Sequence, residues 1–284
     1  MPRSDGIDVS QWNGAIDWDA VGRAGCRWAA TQVLDRNKEN RLDPRFLENR
    51  SGMARAGIRY RGLYYFPVAN RPVDVQAQEF LAAIGPLARG EFVMLDAETD
   101  ADFGEWTEAL SYEWLLAVEP TTRRPSAVYT GAFVDGGRIW ESSRIYDGSR
   151  PRVFAAYTDE GSARIYAGGH DWDLWQFSGS GSYPGVTGAC DLDQLDQTGR
   201  FERASGFTEE DADLAIYQLI QPQIDGDPGF AAAWFVIYGS GRVRWASNAD
   251  TAWCARNGIA AEPVLMGRAQ YDNLMNDATI GWPA

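Results

Sequence analysis

The chain has 284 residues, 45% of them hydrophobic, and a formal net charge of −14. That length allows one full-sized core and a second, smaller one. The acidic balance argues against nucleic acid, whose phosphates select basic surfaces, and against an anionic membrane surface.

Short apolar runs alternate with helix-like stretches along most of the sequence. GIDVS (6–10) reads as a strand and residues 13–25 as a helix stopped by Gly25. WAATQV (28–33) is strand-like, and 44–56 is helical with Gly57 as its C-cap. A strand over 59–68, a helix over 73–84, the strand FVMLDAE (92–98) and an amphipathic helix over 103–118 follow. SAVYTG (126–131), VFAAY (153–157), WDLWQFS (172–178) and ACDLDQ (189–194) complete the strands, the last few poorly supplied with helices. Alternation of this kind, with mostly apolar strands, predicts a parallel sheet covered by helices. About eight such strands predict an irregular α/β barrel of the TIM type.

The pattern changes after Gly199. A charged stretch, RFERASGFTEE, reads as a linker over 200–210, leaving 1–199 as the barrel and 211–284 as a small α+β module. Within the module, 231–247 reads as a hairpin around a GSG turn, and 251–258 and 268–278 as short helices. Cys26, Cys190 and Cys254 are odd in number, far apart and without CxxC spacing, so buried free thiols are expected. The opening MPRSDGIDVSQW has no apolar stretch of signal-peptide type, which predicts synthesis in a cytoplasm. Thirteen per cent of the residues are aromatic, and twelve tryptophans point to an aromatic-lined groove as well as a core.

The acids carry the functional signal. Strand side chains alternate faces, so Met94, Asp96 and Glu98 share one face and Val93, Leu95 and Ala97 the other. Asp8 stands opposite Ile7 and Val9, and Asp191 and Asp193 stand opposite Leu192. In a barrel the apolar faces meet the helices, so these acids point to the axis near the C-terminal rim, where barrel enzymes place their chemistry. A single Asp after a strand is more often a turn or cap residue. An in-phase set on the first, fourth and last of these strands outweighs that reading. Asp96 and Glu98 have Cα atoms about 6.5 Å apart by strand rise. That suits two carboxyls flanking one glycosidic bond, with repulsion and desolvation keeping one of them protonated. His170 is the only histidine and no HxH or HExxH pattern occurs, so neither metal nor cofactor is expected.

The motifs GIDVSQWNG, IDW, DPRF, AGIRYRGLYYF, FVMLDAE, AVYTG, LWQFSG and CDLDQ, in this order over residues 1–199, resemble the glycoside hydrolase family 25 muramidases. These are the Chalaropsis-type lysozymes common among phage endolysins. The resemblance implies cleavage, with retention, of the β-1,4 bond between N-acetylmuramic acid and N-acetylglucosamine in bacterial peptidoglycan. It makes Glu98 the general acid and then base. Asp96 would orient the substrate acetamido group as internal nucleophile, or attack directly. Asp8 and Asp191 would complete the acidic floor, and Tyr64, Tyr129 and Trp175 match positions lining the sugar cleft. Two departures concern the subsites: Gln32-Val33-Leu34-Asp35 stands where many relatives carry K-A-T-E, and Tyr65 replaces the histidine of Y-H-F. The expected setting is a phage endolysin reaching the wall once the membrane is opened. The alternative is a virion tail component, with 211–284 serving wall binding, self-association or attachment to virion proteins.

Overall fold

The computed structural model describes residues 4–35, 41–99, 102, 104–132 and 137–207, and beyond these the strands 216–224, 235–238, 243–245 and 261–266. The chain divides into two compact units, Met1–Gly206 and Phe207–Ala284. The first begins with β1 (Gly6–Val9), a 3-10 turn (Gln11–Asn13), α1 (Trp18–Arg23) and β2 (Trp28–Gln32). A small hairpin, β3 (Leu34–Asp35) and β4 (Arg41–Leu42), precedes α2 (Phe46–Arg55), β5 (Tyr60–Tyr65), α3 (Val73–Ile84) and β6 (Glu91–Asp96). Then come α4 (Glu108–Thr122), β7 (Ala127–Gly131), α5 (Arg138–Glu141), β8 (Arg152–Ala155) and α6 (Glu160–Tyr166). The unit ends with β9 (Leu174–Gly181), β10 (Cys190–Leu195) and α7 (Gly199–Ala204).

Eight strands close into a barrel in the order β1-β10-β9-β8-β7-β6-β5-β2. The sheet is parallel except at β10, which runs antiparallel to both β9 and β1. This corrects the all-parallel expectation. The link from Gly181 to Cys190 is too short for the crossover of a dozen or more residues that a parallel return needs.

The outer face of β6 behaves as its sequence dictates. Val93, Leu95 and Ala97 are buried with Phe80 of α3 and Trp114 and Leu115 of α4. Helix α3 spans the expected residues and stops at Gly85, whose φ of 58° lies in the region glycine tolerates. Helix α4 starts later than expected, at the point where the Thr107 hydroxyl accepts from the Leu110 amide at 3.3 Å. The short helices α5 and α6 were not legible in the sequence.

The floor of the barrel is aromatic. Phe92 and Phe201 lie 5.1 Å apart between ring centroids, Tyr60 and Phe201 5.9 Å, and Trp28 and Phe92 6.1 Å. Phe201 sits on α7, and its neighbour Glu202 pairs with Arg59 at 2.8 Å and accepts from the Tyr60 hydroxyl. Residues 199–204 are thus a plug of the barrel and not the start of a linker, and the first unit extends to Gly206.

The second unit holds β11 (Ile216–Ile224), β12 (Phe235–Tyr238), β13 (Val243–Trp245) and β14 (Ala261–Met266) in the order β13-β12-β11-β14. The expected hairpin is β12–β13, with Phe235 opposite Trp245. Strands β11 and β14, paired in parallel, were not anticipated. The helices expected over 251–258 and 268–278, and Cys254, lie outside the described residues.

Close packing of α1 on α2 turns on Gly52. A Cβ there would lie 2.0 Å from Trp18 Cδ1, and Trp18 is held by its indole N–H donating to Asn49 Oδ1 at 3.3 Å. Alanine favours a helix over glycine by about 1 kcal/mol, but overpacking costs about 1–3 kcal/mol. Gly52→Ala is therefore expected to lower the urea midpoint, and a raised midpoint would show that the Trp18 contact relaxes freely.

Candidate active site

Inward-facing residues converge at the C-terminal ends of the parallel strands. A cleft opens there, with Asp8, Asp96, Glu98 and Asp191 in its lining. The face assignment of β6 holds, since Met94, Asp96 and Glu98 all line it. Asp96 ends β6 beside Tyr129 of β7, its register partner, and the Ala97 amide donates to the Tyr129 carbonyl at 2.8 Å. Asp8 and Asp191 meet across the seam where β10 joins β1. Tyr64 and Tyr129 join the lining from β5 and β7.

Trp175 does not reach the cleft. It is buried in the layer under the helices, 5.9 Å from Trp172 and 5.6 Å from Phe177, with its indole N–H donating to the Ala156 carbonyl at 3.0 Å. Period two turns its neighbour Gln176 inward instead. Gln176 is 3% exposed; its Nε2 donates to Asp8 Oδ2 at 2.7 Å, and its Oε1 accepts from the Tyr129 and Tyr157 hydroxyls at 2.8 Å each. A lone amide among the large apolar side chains of Leu174–Phe177 was the available sign.

Other cleft residues were missed. Trp12, 78% exposed, and Tyr157, 63% exposed, stand on the rim. Trp12 is fixed locally: Ser10 Oγ accepts from its amide at 3.3 Å, and the Ser10 amide donates to Asn13 Oδ1 at 2.9 Å, a reciprocal cap. Gln11 anchors the same turn, donating from Nε2 to Asp35 Oδ2 at 2.6 Å and from its amide to Asp43 Oδ2 at 2.9 Å. Of the two departures from the family pattern, Gln32 faces the cleft, while Tyr65 stacks on Trp114 and donates to Gln76 Oε1 at 2.8 Å in the helix layer.

The electrostatics are one-sided, for no Lys, Arg or His is among the described residues of the cleft lining. Burial, followed by the charge of Asp191, pushes the Asp8 carboxyl well above 3.8, against the opposing hydrogen bond from Gln176. Burial also raises Asp191, which shares a hydrogen bond with Asp8. Two carboxyls so placed hold one proton between them. Burial likewise raises the Tyr64 and Tyr129 phenols, so both remain neutral donors.

An acid pair on one wall, a proton-sharing pair on the other and exposed aromatic rings on the rim suit the breaking of a bond between sugars. Residues 7–186 match the family model of glycosyl hydrolases family 25, and the chain belongs to that family. It is a glycoside hydrolase. Protein YegX of Escherichia coli O6:H1 is 28% identical over 212 residues, 72% of this chain and 73% of that one. Lysozyme M1 of Streptomyces globisporus is 27% identical over 205 residues, 67% of each chain. The solved lysozyme of Streptomyces coelicolor shares the fold, with a TM-score of 0.59 at 23% identity over 72% of this chain and 97% of that one.

Asp193 lies one layer below the cleft floor, fully buried, in register with Gly6 of β1 and Gln176 of β9. Neither of its carboxyl oxygens has a hydrogen-bond partner among the described residues. Burial, then the charges of Asp8 and Asp191, hold it protonated well above 3.8. An acid whose folded pKa is raised takes up a proton on folding, so its cost to stability grows as pH rises above the unfolded value. Asp193→Asn removes that titration. Its melting temperature relative to the parent is expected to be higher at pH 7 than at pH 4, and a gap independent of pH would show that Asp193 titrates normally.

Proposed function

We propose that this chain is an N-acetylmuramidase that cleaves the MurNAc-β-1,4-GlcNAc bond of peptidoglycan with retention. The observation that carries the reading is the common inward face of Asp96 and Glu98 at the open end of β6. Two residues on one strand face stand about 6.5 Å apart at Cα, and retaining glycosidases hold their carboxyls about 5–5.5 Å apart. Glu98, just beyond the strand end, protonates the leaving oxygen and then activates water. Asp96, held against β7, meets the positive charge that develops at the anomeric carbon or its oxazolinium equivalent. Trp12 and Tyr157 offer ring faces to the sugars. The lysozyme relative in Streptomyces globisporus supports the peptidoglycan substrate.

The biological setting we propose is that of a phage endolysin that digests the host wall during lysis, with residues 211–284 as an accessory module. A virion tail component with the same barrel is the alternative, and the location of the protein in purified particles or in lysate separates the two.

Glu98→Gln is nearly isosteric but donates no proton to a leaving group. It is expected to lose about 10²- to 10⁴-fold in kcat on soluble muropeptides with an unchanged melting temperature. Asp96→Asn should lose most turnover yet still sediment with walls. Full activity in Glu98→Gln removes that residue from the chemistry.

Residues 1–206 contain every proposed catalytic carboxyl and both the first and last strands of the barrel. This fragment is expected to melt cooperatively and turn over muropeptides at the parental rate while losing affinity for whole walls. An insoluble or inactive fragment would make the second unit part of the catalytic machinery.

A further inference from the structure

Gln176 bonds to cleft residues through both ends of its amide. The amide oxygen has two lone pairs, and the Tyr129 and Tyr157 hydroxyls fill both at 2.8 Å. The amide nitrogen is thereby turned to Asp8 Oδ2, 2.7 Å away. In this orientation of the amide, Asp8 Oδ2 is the acceptor. The proton of the Asp8–Asp191 pair is left to the bond between those two acids.

Four separate pieces of the barrel meet at this one side chain: Asp8 from β1, Tyr129 from β7, Tyr157 beyond β8, and β9 itself. Tyr129 is also the register partner of Asp96. Tyr157, 63% exposed at the rim, is thus tied through a 3% exposed amide to the acid floor.

We propose that Gln176 is a positioning residue that holds Asp8, Tyr129 and Tyr157 as one unit, setting both the proton location on the acid floor and the place of the rim phenol over the sugar. The inference rests on the muramidase reading of the cleft. Its test separates hydrogen bonding from shape and from charge. Gln176→Leu keeps bulk and removes both ends of the amide. Gln176→Glu keeps the acceptor for the phenols but donates to Asp8 only when protonated. The titratable groups facing this position are Asp8 from β1, Tyr64 from β5, Asp96 from β6 and Glu98 just beyond it, Tyr129, Tyr157, and Asp191 and Asp193 from β10. All are acids or phenols, so ionisation at 176 is disfavoured and falls late in the titration.

With the full-length chain on a soluble muropeptide, Gln176→Leu is expected to lose kcat on the order of 100-fold at every pH, the cost of a small misplacement of reacting groups, with KM little changed. Gln176→Glu should approach the parent at acid pH and lose activity steeply as pH rises, its alkaline limb shifted to lower pH. A folded Gln176→Leu with parental kcat, or a Gln176→Glu with the parental pH profile, overturns the proposal. If the position-176 variants fail to fold, Tyr157→Phe decides. It breaks one bond at an exposed site, and a kcat loss of about 10-fold at unchanged KM supports the tie. A parental kcat, or a change confined to KM, overturns it. Glu98→Gln is run alongside: if it stays active the muramidase site itself is misassigned, and if it is dead while the position-176 variants match the parent, only the Gln176 inference fails.

Discussion

The acid floor depends on the seam between the last strand of the barrel and the first. Gly6 of β1 meets Asp193 of β10, and the Asp5 amide donates to the Asp193 carbonyl at 2.8 Å. Ser4 adds a hydroxyl bond to the same carbonyl at 3.3 Å. Because strand side chains alternate, a slip of one residue here would send Asp191 and Asp193 to the outside and Leu192 inward. The seam is held by few hydrogen bonds but strongly specified by burial. Leu192 packs against the apolar clusters outside the sheet, and Asp193 is fully enclosed within it. Asp8 and Asp191 become neighbours only when this register is right.

The two ends of the barrel divide stability from chemistry. At the floor, Trp28, Tyr60, Phe92 and Phe201 bring four rings together, and such contacts combine burial with favourable edge-to-face geometry. At the rim, carboxyls crowd with no described cation among them. The floor supplies the apolar burial that offsets the repulsion and desolvation at the rim. That asymmetry is expected of barrels whose active sites lie at strand C-termini.

Much of this was legible in the sequence, for identifiable reasons. FVMLDAE revealed its two faces because one carries acids and the other only aliphatic residues. Helix α3 falls on the expected 73–84, with Pro72 ahead of it and Gly85 behind it. Trp175 was placed in the cleft by the family resemblance and Gln176 passed over, whereas the alternation of LWQF sends Trp175 to the helix layer and Gln176 inward. RFERA read as linker because only Phe201 and Ala204 are apolar, yet one aromatic ring suffices when three others line the hole it fills. The antiparallel course of β10 was a matter of connection length that apolar patterning does not encode.

Exposed aromatic rings on the cleft lining have a mechanical consequence. Among the described residues of the cleft lining, Trp12 and Tyr157 stand largely in solvent. For the reaction proposed, a polymer need not be threaded from an end; it can be laid in sideways at any point along its length. Cuts then fall within strands and not at their tips. In a covalent mesh under turgor, interior cuts sever load-bearing paths at once, whereas trimming from the ends would shorten many strands before any tension was released. The exposed aromatics thus suit a wall-cutting enzyme whose effect depends on where each break falls more than on how many breaks it makes.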